Sequence, residues 1–160
     1  MYARDTARLS TPVGLVELTG TETMLERIRV GAEGAPARAA SPVLAAAMEQ
    51  LEAFFAGEAN AFDLPLAPAS TPRGAALRQA IVAIGYGDTR GYGEVAASIA
   101  SSARAVGQAC ARNPFPLVVP CHRVLAAGGA LGPYSAGDGP VTKRWLLEHE
   151  RRWSGSDLLL

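Results

Sequence analysis

Asn113-Pro114-Phe115-Pro116-Leu117-Val118-Val119-Pro120-Cys121-His122-Arg123-Val124-Leu125 is the stretch on which the reading of this chain turns. An apolar run reads as a buried strand that ends at Pro120, and Cys121, His122 and Arg123 follow without a break. The order sets one cysteine at the mouth of a buried element, with a base and a cation beside it. The thiolate is the nucleophilic form of cysteine, and a nearby positive charge lowers the thiol pKa. Pro114 and Pro116 stiffen the approach by fixing their own backbone and restricting the residue before each. A lone cysteine is by default a small core residue. The adjoining His-Arg pair favours a nucleophile instead.

The chain has 160 residues, 49% of them hydrophobic, enough for a sizeable core. No run approaches the roughly 18 apolar residues of a membrane span. The first residues, Met1-Tyr2-Ala3-Arg4-Asp5, lack the apolar centre of a secretory signal. Two cysteines, Cys110 and Cys121, make no disulfide framework, so a reducing cytoplasm is expected. Formal net charge is zero, but it is unevenly spread. Residues 1–70 carry five arginines against nine acids, and residues 71–160 carry ten basic residues against six acids. Between Val95 and Gly137 there is no acid at all, whereas Arg104, Arg112 and Arg123 fall there. An acid-free, arginine-bearing stretch suits a surface that faces phosphates.

Residues 11–30 alternate weakly around Gly20 and read as one or two hairpins of a small sheet. Residues 31–42 are rich in Gly, Ala and Pro and read as loop. Ser41 followed by Pro42 marks a helix start, with Leu44, Met48, Leu51 and Phe55 at helical spacing and Gly57 at the end. Residues 60–70 hold Pro65 and Pro68 and read as a linker between two lobes. Thr71-Pro72 repeats the cap-plus-proline signal, and Leu77, Ile81 and Ile84 follow before Gly85-Tyr86-Gly87. Next comes a helix-turn-helix pattern. Residues 94–100 form its first helix with Val95 and Ile99 inward, Ser101-Ser102 form the turn, and residues 103–111 form the second helix. That second helix is small-residue rich and offers base edges little beyond one Arg and one Gln, which suits close approach to a narrow groove better than major-groove readout. After Cys121 a Gly-rich loop over residues 128–137 leads into a helix over residues 141–151, with Trp145 and Leu146 inward and His149 and Glu150 near its end. Residues 154–160 read as a frayed tail.

Pro120-Cys121-His122-Arg123-Val124 resembles the active-site signature of the O6-alkylguanine-DNA alkyltransferases, also called methylated-DNA–protein-cysteine methyltransferases. Gly91-Tyr92-Gly93-Glu94-Val95-Ala96 resembles the start of that family's helix-turn-helix. Ala103-Arg104-Ala105-Val106-Gly107 resembles its recognition helix, Arg112-Asn113-Pro114 its hinge, and residues 143–150 its closing helix. The resemblance runs in order over residues 71–152, while residues 1–60 match the variable N-terminal lobe in general shape only.

The resemblance implies an α+β fold. A small N-terminal ribonuclease H-like α/β lobe would occupy residues 1–65, and a mostly helical lobe with the helix-turn-helix would hold DNA and the alkyl acceptor over residues 71–152. It implies direct reversal of DNA damage, in which the alkyl group of O6-alkylguanine, or of O4-alkylthymine, passes irreversibly to Cys121 after base flipping. His122 would be the base acting through a water, Glu150 its orienting partner, and Asn113 the tie between recognition helix and active-site loop. Tyr92 would crowd the DNA backbone, and Pro116, Tyr134 and Ser135 would line the pocket. Arg104 would replace the flipped base in the stack, and Ala105, Gly107, Arg112 and Arg123 would complete the DNA surface. No metal and no cofactor is implied. The partner would be duplex DNA carrying O6-alkylguanine, with no membrane, and the protein would act as a monomer. Residues 135–143 are longer than the family's loop, and Asp138 and Pro140 fall in what would be a pocket wall, which bears on substrate size. Three rivals are weaker. Alkyltransferase-like proteins bind alkylated DNA without accepting the group, but they lack the cysteine that stands here. A thiol hydrolase with a Cys-His-Glu relay leaves the helix-turn-helix unexplained. A zinc site from Cys110, Cys121, His122 and His149 has poor ligand spacing.

Overall fold

The computed structural model describes residues 4–154. Residues 1–3, within the stretch read for a signal, and residues 155–160, most of the tail read as frayed, lie outside the described residues. The chain divides into two compact units, Met1–Ala67 and Pro68–Leu160.

In the first unit, β1 (Asp5–Thr11), β2 (Gly14–Gly20) and β3 (Leu25–Val30) form an antiparallel sheet in that order. Ala7 pairs with Leu18, and Leu18 with Ile28, so one face carries Ala7, Val16, Leu18, Ile28 and Val30, all buried. The helix α1 (Pro42–Phe55) contributes Leu44, Ala47, Met48, Leu51 and Phe54 to the core. Truncating Phe54 to alanine there costs about 3–5 kcal/mol. Ser41 caps α1 as expected, its Oγ accepting from the Leu44 amide at 3.3 Å. Gly20 has no alternative, because a Cβ there would lie 2.5 Å from the Met24 carbonyl oxygen. The sheet starts earlier than the alternation suggested, since β1 buries little but Ala7 and so carries almost no hydrophobic signal. Residues 60–70 are not a free linker. Leu25 donates to the Pro65 carbonyl (2.7 Å) and accepts from Ala67 (2.8 Å), and Gln50 makes two bonds to the backbone of Asp63.

The second unit runs α2 (Pro72–Val82), β4 (Arg90–Gly91), α3 (Tyr92–Ser98), α4 (Ala103–Ala111), β5 (Val124–Leu125) and α5 (Pro140–Trp153). Thr71 caps α2, accepting from Gly74 at 2.9 Å, and Ser102 caps α4, accepting from Ala105 at 3.1 Å. Each such cap is worth about 1 kcal/mol. The helix α3 begins two residues before the expected start, because Glu94 reaches back to accept from the Gly91 amide (3.1 Å) and so fixes Gly91 as the cap. Residues 115–120 form no strand. Pro116 and Pro120 withdraw N–H donors from any ladder, Leu117 sits at φ 78°, and the Val119 amide closes a turn onto the Phe115 carbonyl at 2.8 Å. The short strand follows the cysteine instead: β5 pairs in parallel with β4, Arg90 against Val124 and Gly91 against Leu125. Among the described residues, no helix is long and apolar enough to cross a membrane.

Candidate active site

Cys121 opens a single 3-10 turn, Cys121–Arg123, between the buried turn at residues 115–120 and β5. All three residues are buried. The turn is held from below by α5, whose inward stripe is Thr142, Lys143, Leu146, His149 and Glu150. Three of those five are ionisable, so the packing of this helix is electrostatic as much as apolar.

Glu150, 1% exposed, is the hub. Its Oε2 meets His122 Nε2 at 2.6 Å and Arg123 NH2 at 3.0 Å, while its Oε1 accepts from Arg123 Nε at 2.8 Å and the Gly87 amide at 3.3 Å. Burial disfavours charge on Glu150, but the His122 contact and then Arg123 outweigh it and hold the carboxyl down at about 2. An ionised carboxylate only accepts, so His122 carries its proton on Nε2. Nδ1 is then the basic nitrogen, buried and without a protein partner among the described residues. Burial, the largest influence, lowers the His122 pKa, with Glu150 opposing, so the imidazole is neutral near pH 7. The structure thus brings His122 and Glu150, far apart in the sequence, into direct contact.

Arg123 does not meet its expectation. Its exposure is 6%, its Nε and NH2 are spent on Glu150, and its NH1 donates to the Ile84 carbonyl at 2.7 Å. A guanidinium so enclosed cannot reach a phosphate, so Arg123 leaves the DNA set and becomes the counter-ion that keeps Glu150 charged.

Asn113 ties the cysteine loop to α4. Its Nδ2 donates to the Val119 carbonyl (2.9 Å) and to Cys121 Sγ (3.2 Å), its Oδ1 accepts from Phe115 N (2.9 Å), and its own amide donates to the Cys110 carbonyl (3.3 Å). The Cys121 thiol is held above the ordinary cysteine range, first by its hydrogen bond with the Cys110 thiol and then by burial, while Asn113 and Lys143 pull the other way. Cys110 is lowered by the same hydrogen bond, against burial. At rest Cys121 is therefore a protonated thiol.

Two residues at the site were not singled out for it. Lys143 is fully buried, its Nζ donating to the carbonyls of Val124 (2.7 Å) and Pro133 (3.2 Å), 6.0 Å from the centre of the Tyr92 ring. Cys110, weighed only as a zinc ligand, is the largest influence on the Cys121 thiol. Tyr92 and Tyr134 both have raised pKa values, from burial first and then from the two sulfurs, so the phenols border the same space and keep their protons. The Tyr134 hydroxyl is buried and has no protein partner among the described residues. Ser135 is exposed, its Oγ donating to the Cys110 carbonyl at 3.4 Å. Pro116 is buried in the turn before the cysteine and does not line the cavities described next.

The expected DNA residues separate onto two sides of α4. Arg104 and Gly107 line a cavity of about 880 Å³ with Tyr92 and the Gly-rich loop through Pro133. Ala105 and Arg112 line a second, of about 580 Å³, with Arg73, Arg78 and Asn113. Arg104 and Arg112 are exposed. The loop expected as a pocket wall turns at Gly137 and Gly139, with positive φ of 54° and 63°, and Asp138 is exposed, its amide donating to Thr142 Oγ1 at 2.9 Å.

This chain is similar to known proteins along nearly its whole length. The family described as "6-O-methylguanine DNA methyltransferase, DNA binding domain" matches residues 74–152. A methylated-DNA–protein-cysteine methyltransferase of Mycolicibacterium paratuberculosis is 41% identical over 159 residues, covering 95% of each chain. A constitutive one of Bacillus subtilis is 45% identical over 113 residues, covering 69% of this chain and 68% of its own. Among solved structures, Mycobacterium tuberculosis OGT in complex with DNA superposes with a TM-score of 0.81 at 36% identity, covering 91% of this chain and 92% of that one. The likeness takes in the cysteine turn, the helices around it and the N-terminal unit alike, and the chain belongs to the methylated-DNA–protein-cysteine methyltransferase family.

Proposed function

We propose that this protein repairs O6-alkylguanine in duplex DNA by moving the alkyl group to Cys121 Sγ in a single, irreversible turnover. The observation that carries the reading is the joint hold on one sulfur: Asn113 Nδ2 at 3.2 Å from Sγ, beside a buried His122 whose tautomer is set by Glu150 at 2.6 Å. His122 Nδ1 takes the thiol proton through a water. The thiolate attacks the alkyl carbon, the S–C bond forms as the C–O6 bond breaks, and guanine leaves as the neutral base once a proton reaches it. Tyr134, a buried phenol that keeps its proton, and Ser135 are the groups nearest the departing oxygen. The thioether product has no ready route back to a thiol, so each molecule acts once. The same chemistry extends to O4-alkylthymine.

The target base lies inside a duplex, and chemistry on it requires extrusion at a few kcal/mol, least for a poorly paired lesion. In this reading α3 and α4 act as a helix-turn-helix. Its small-residue second helix enters the minor groove, Arg104 fills the gap left by the base, and Tyr92 presses the backbone. Ala105, Gly107 and Arg112 supply close backbone approach and phosphate contacts. The N-terminal unit, three antiparallel strands and then a helix with Leu66 bridged in parallel to Leu25, supports the ribonuclease H-like description. Residues 71–152 form the DNA-binding and acceptor domain, and residues 1–65 a separate lobe.

The test is stoichiometry. With an O6-methylguanine duplex in excess, guanine restored should plateau at one per protein molecule. Continued turnover would contradict the proposal, and so would tight binding with no guanine restored.

A further inference from the structure

The two cysteines of this chain converge on one residue. Asn113 donates its backbone amide to the Cys110 carbonyl at 3.3 Å and its side-chain amide to Cys121 Sγ at 3.2 Å. It thus clamps the last turn of α4 against the cysteine loop. Ser135 Oγ adds a second hold on the Cys110 carbonyl at 3.4 Å. Both cysteines are buried at the two ends of the Asn113 clamp, each thiol is the largest influence on the other's titration, and both act on the same neighbours, Tyr92, Tyr134 and Lys143. A small apolar side chain would fill the Cys110 position equally well. A second sulfur there brings redox chemistry to the acceptor.

We propose that Cys110 and Cys121 form a reversible intramolecular disulfide when the acceptor site meets a hydroperoxide. One thiolate attacks a peroxide oxygen, the O–O bond breaks, and the departing oxygen leaves as water after taking a proton. The resulting sulfenic acid is then attacked by the second thiol, the S–S bond forms, and the sulfenic oxygen leaves as a second water. Two thiols and one hydrogen peroxide thus become one disulfide and two waters, with the sulfurs giving up two electrons. The bond occupies the lone pair needed for alkyl transfer. It also diverts Cys121 from sulfinic and sulfonic acids, which thiols do not reverse. For a protein whose sulfur serves once, that separates a silenced molecule from a lost one. The protective consequence rests on the acceptor role proposed for Cys121, whereas the bond itself rests only on the two sulfurs being neighbours.

Arg104, Arg112 and Arg123 make the experiment direct, because trypsin leaves Cys110 on residues 105–112 and Cys121 on residues 113–123. The full chain is treated with a several-fold molar excess of hydrogen peroxide, quenched, and measured intact and digested without reductant. The expected result is loss of two hydrogens from the monomer, a linked pair of these two peptides, and recovery of both thiols with dithiothreitol. Cys110→Ala and Cys110→Ser should instead gain two or three oxygens on residues 113–123 that the reductant does not remove. Three wild-type results would overturn the inference: oxygens on residues 113–123 with no linked pair, linkage only between separate chains, or both thiols unchanged. Methyl uptake by the reduced protein from an O6-methylguanine duplex is measured in parallel. A protein that takes the methyl but never links sinks this inference alone, and one that links but takes no methyl sinks only the acceptor reading.

Discussion

Replacing Glu150 with glutamine removes the charge at the hub while keeping its shape, and the structure sets the size of the loss. The carboxyl sits at about 2 against an unperturbed 4.5, a gap worth about 3 kcal/mol of native stability. Breaking a buried pair by removing one partner costs about 3–5 kcal/mol by an independent route, and here it would strand the enclosed Arg123. The two agree, so Glu150→Gln should lose about 3 kcal/mol at pH 7. The sign of the pH dependence follows from the depressed pKa. The stabilisation is complete above the unfolded value, near pH 4.5, and is lost as pH falls through about 2. His122, also lowered, acts in the same direction as the solution is acidified. Wild type and variant should therefore differ fully at pH 7 and converge toward pH 2. Urea unfolding followed by the fluorescence of Trp145, which stacks on His149 one turn from the hub, reads this directly. A loss below about 1 kcal/mol at pH 7, or a gap of equal size at both pH values, would refute the reasoning.

Arg104→Ala should slow repair of duplex far more than reaction with free O6-benzylguanine, which needs no flipping; equal slowing of both would make Arg104 a support of the fold. Because Cys110 is the largest influence raising the Cys121 thiol, Cys110→Ala should move the pH profile of Cys121 alkylation by iodoacetamide to lower pH, and an unmoved profile would contradict the coupling. Affinity for duplex should fall linearly in log–log terms with salt, and Arg112→Ala should make that slope shallower by about one unit if its guanidinium meets a phosphate. An unchanged slope would place the second cavity outside the DNA interface.

Local signals announced local structure well. Ser41-Pro42 and Thr71-Pro72 each mark a helix start that the structure shows capped by that hydroxyl, because capping is settled within a few residues. The boundaries of α4 were legible for the same reason. Signals that depend on tertiary packing were not. The strand β1 buries only Ala7 deeply, so alternation could not reveal it. The apolar run before Pro120 is as buried as a strand, but prolines and the positive φ of Leu117 bend it into turns. The inner face of α5 is Lys143, His149 and Glu150 around Leu146, a stripe that hydrophobic periodicity cannot find. Adjacency misled at Arg123: being next to Cys121 in sequence says nothing of which way a side chain points, and Glu150 and the Ile84 carbonyl draw this one inward. Cys110 was hidden in a helix of small residues, where its approach to Cys121 depends on the turn between them.

The central claim is that one named sulfur receives the alkyl group. Reduced protein is incubated with a duplex carrying a single O6-methylguanine and digested with trypsin, and the methyl is located by fragmentation. The account predicts one methyl on residues 113–123, at Cys121, and none in Cys121→Ser, which still binds the alkylated duplex. A methyl on Cys110, or any methyl transfer by Cys121→Ser, would contradict it.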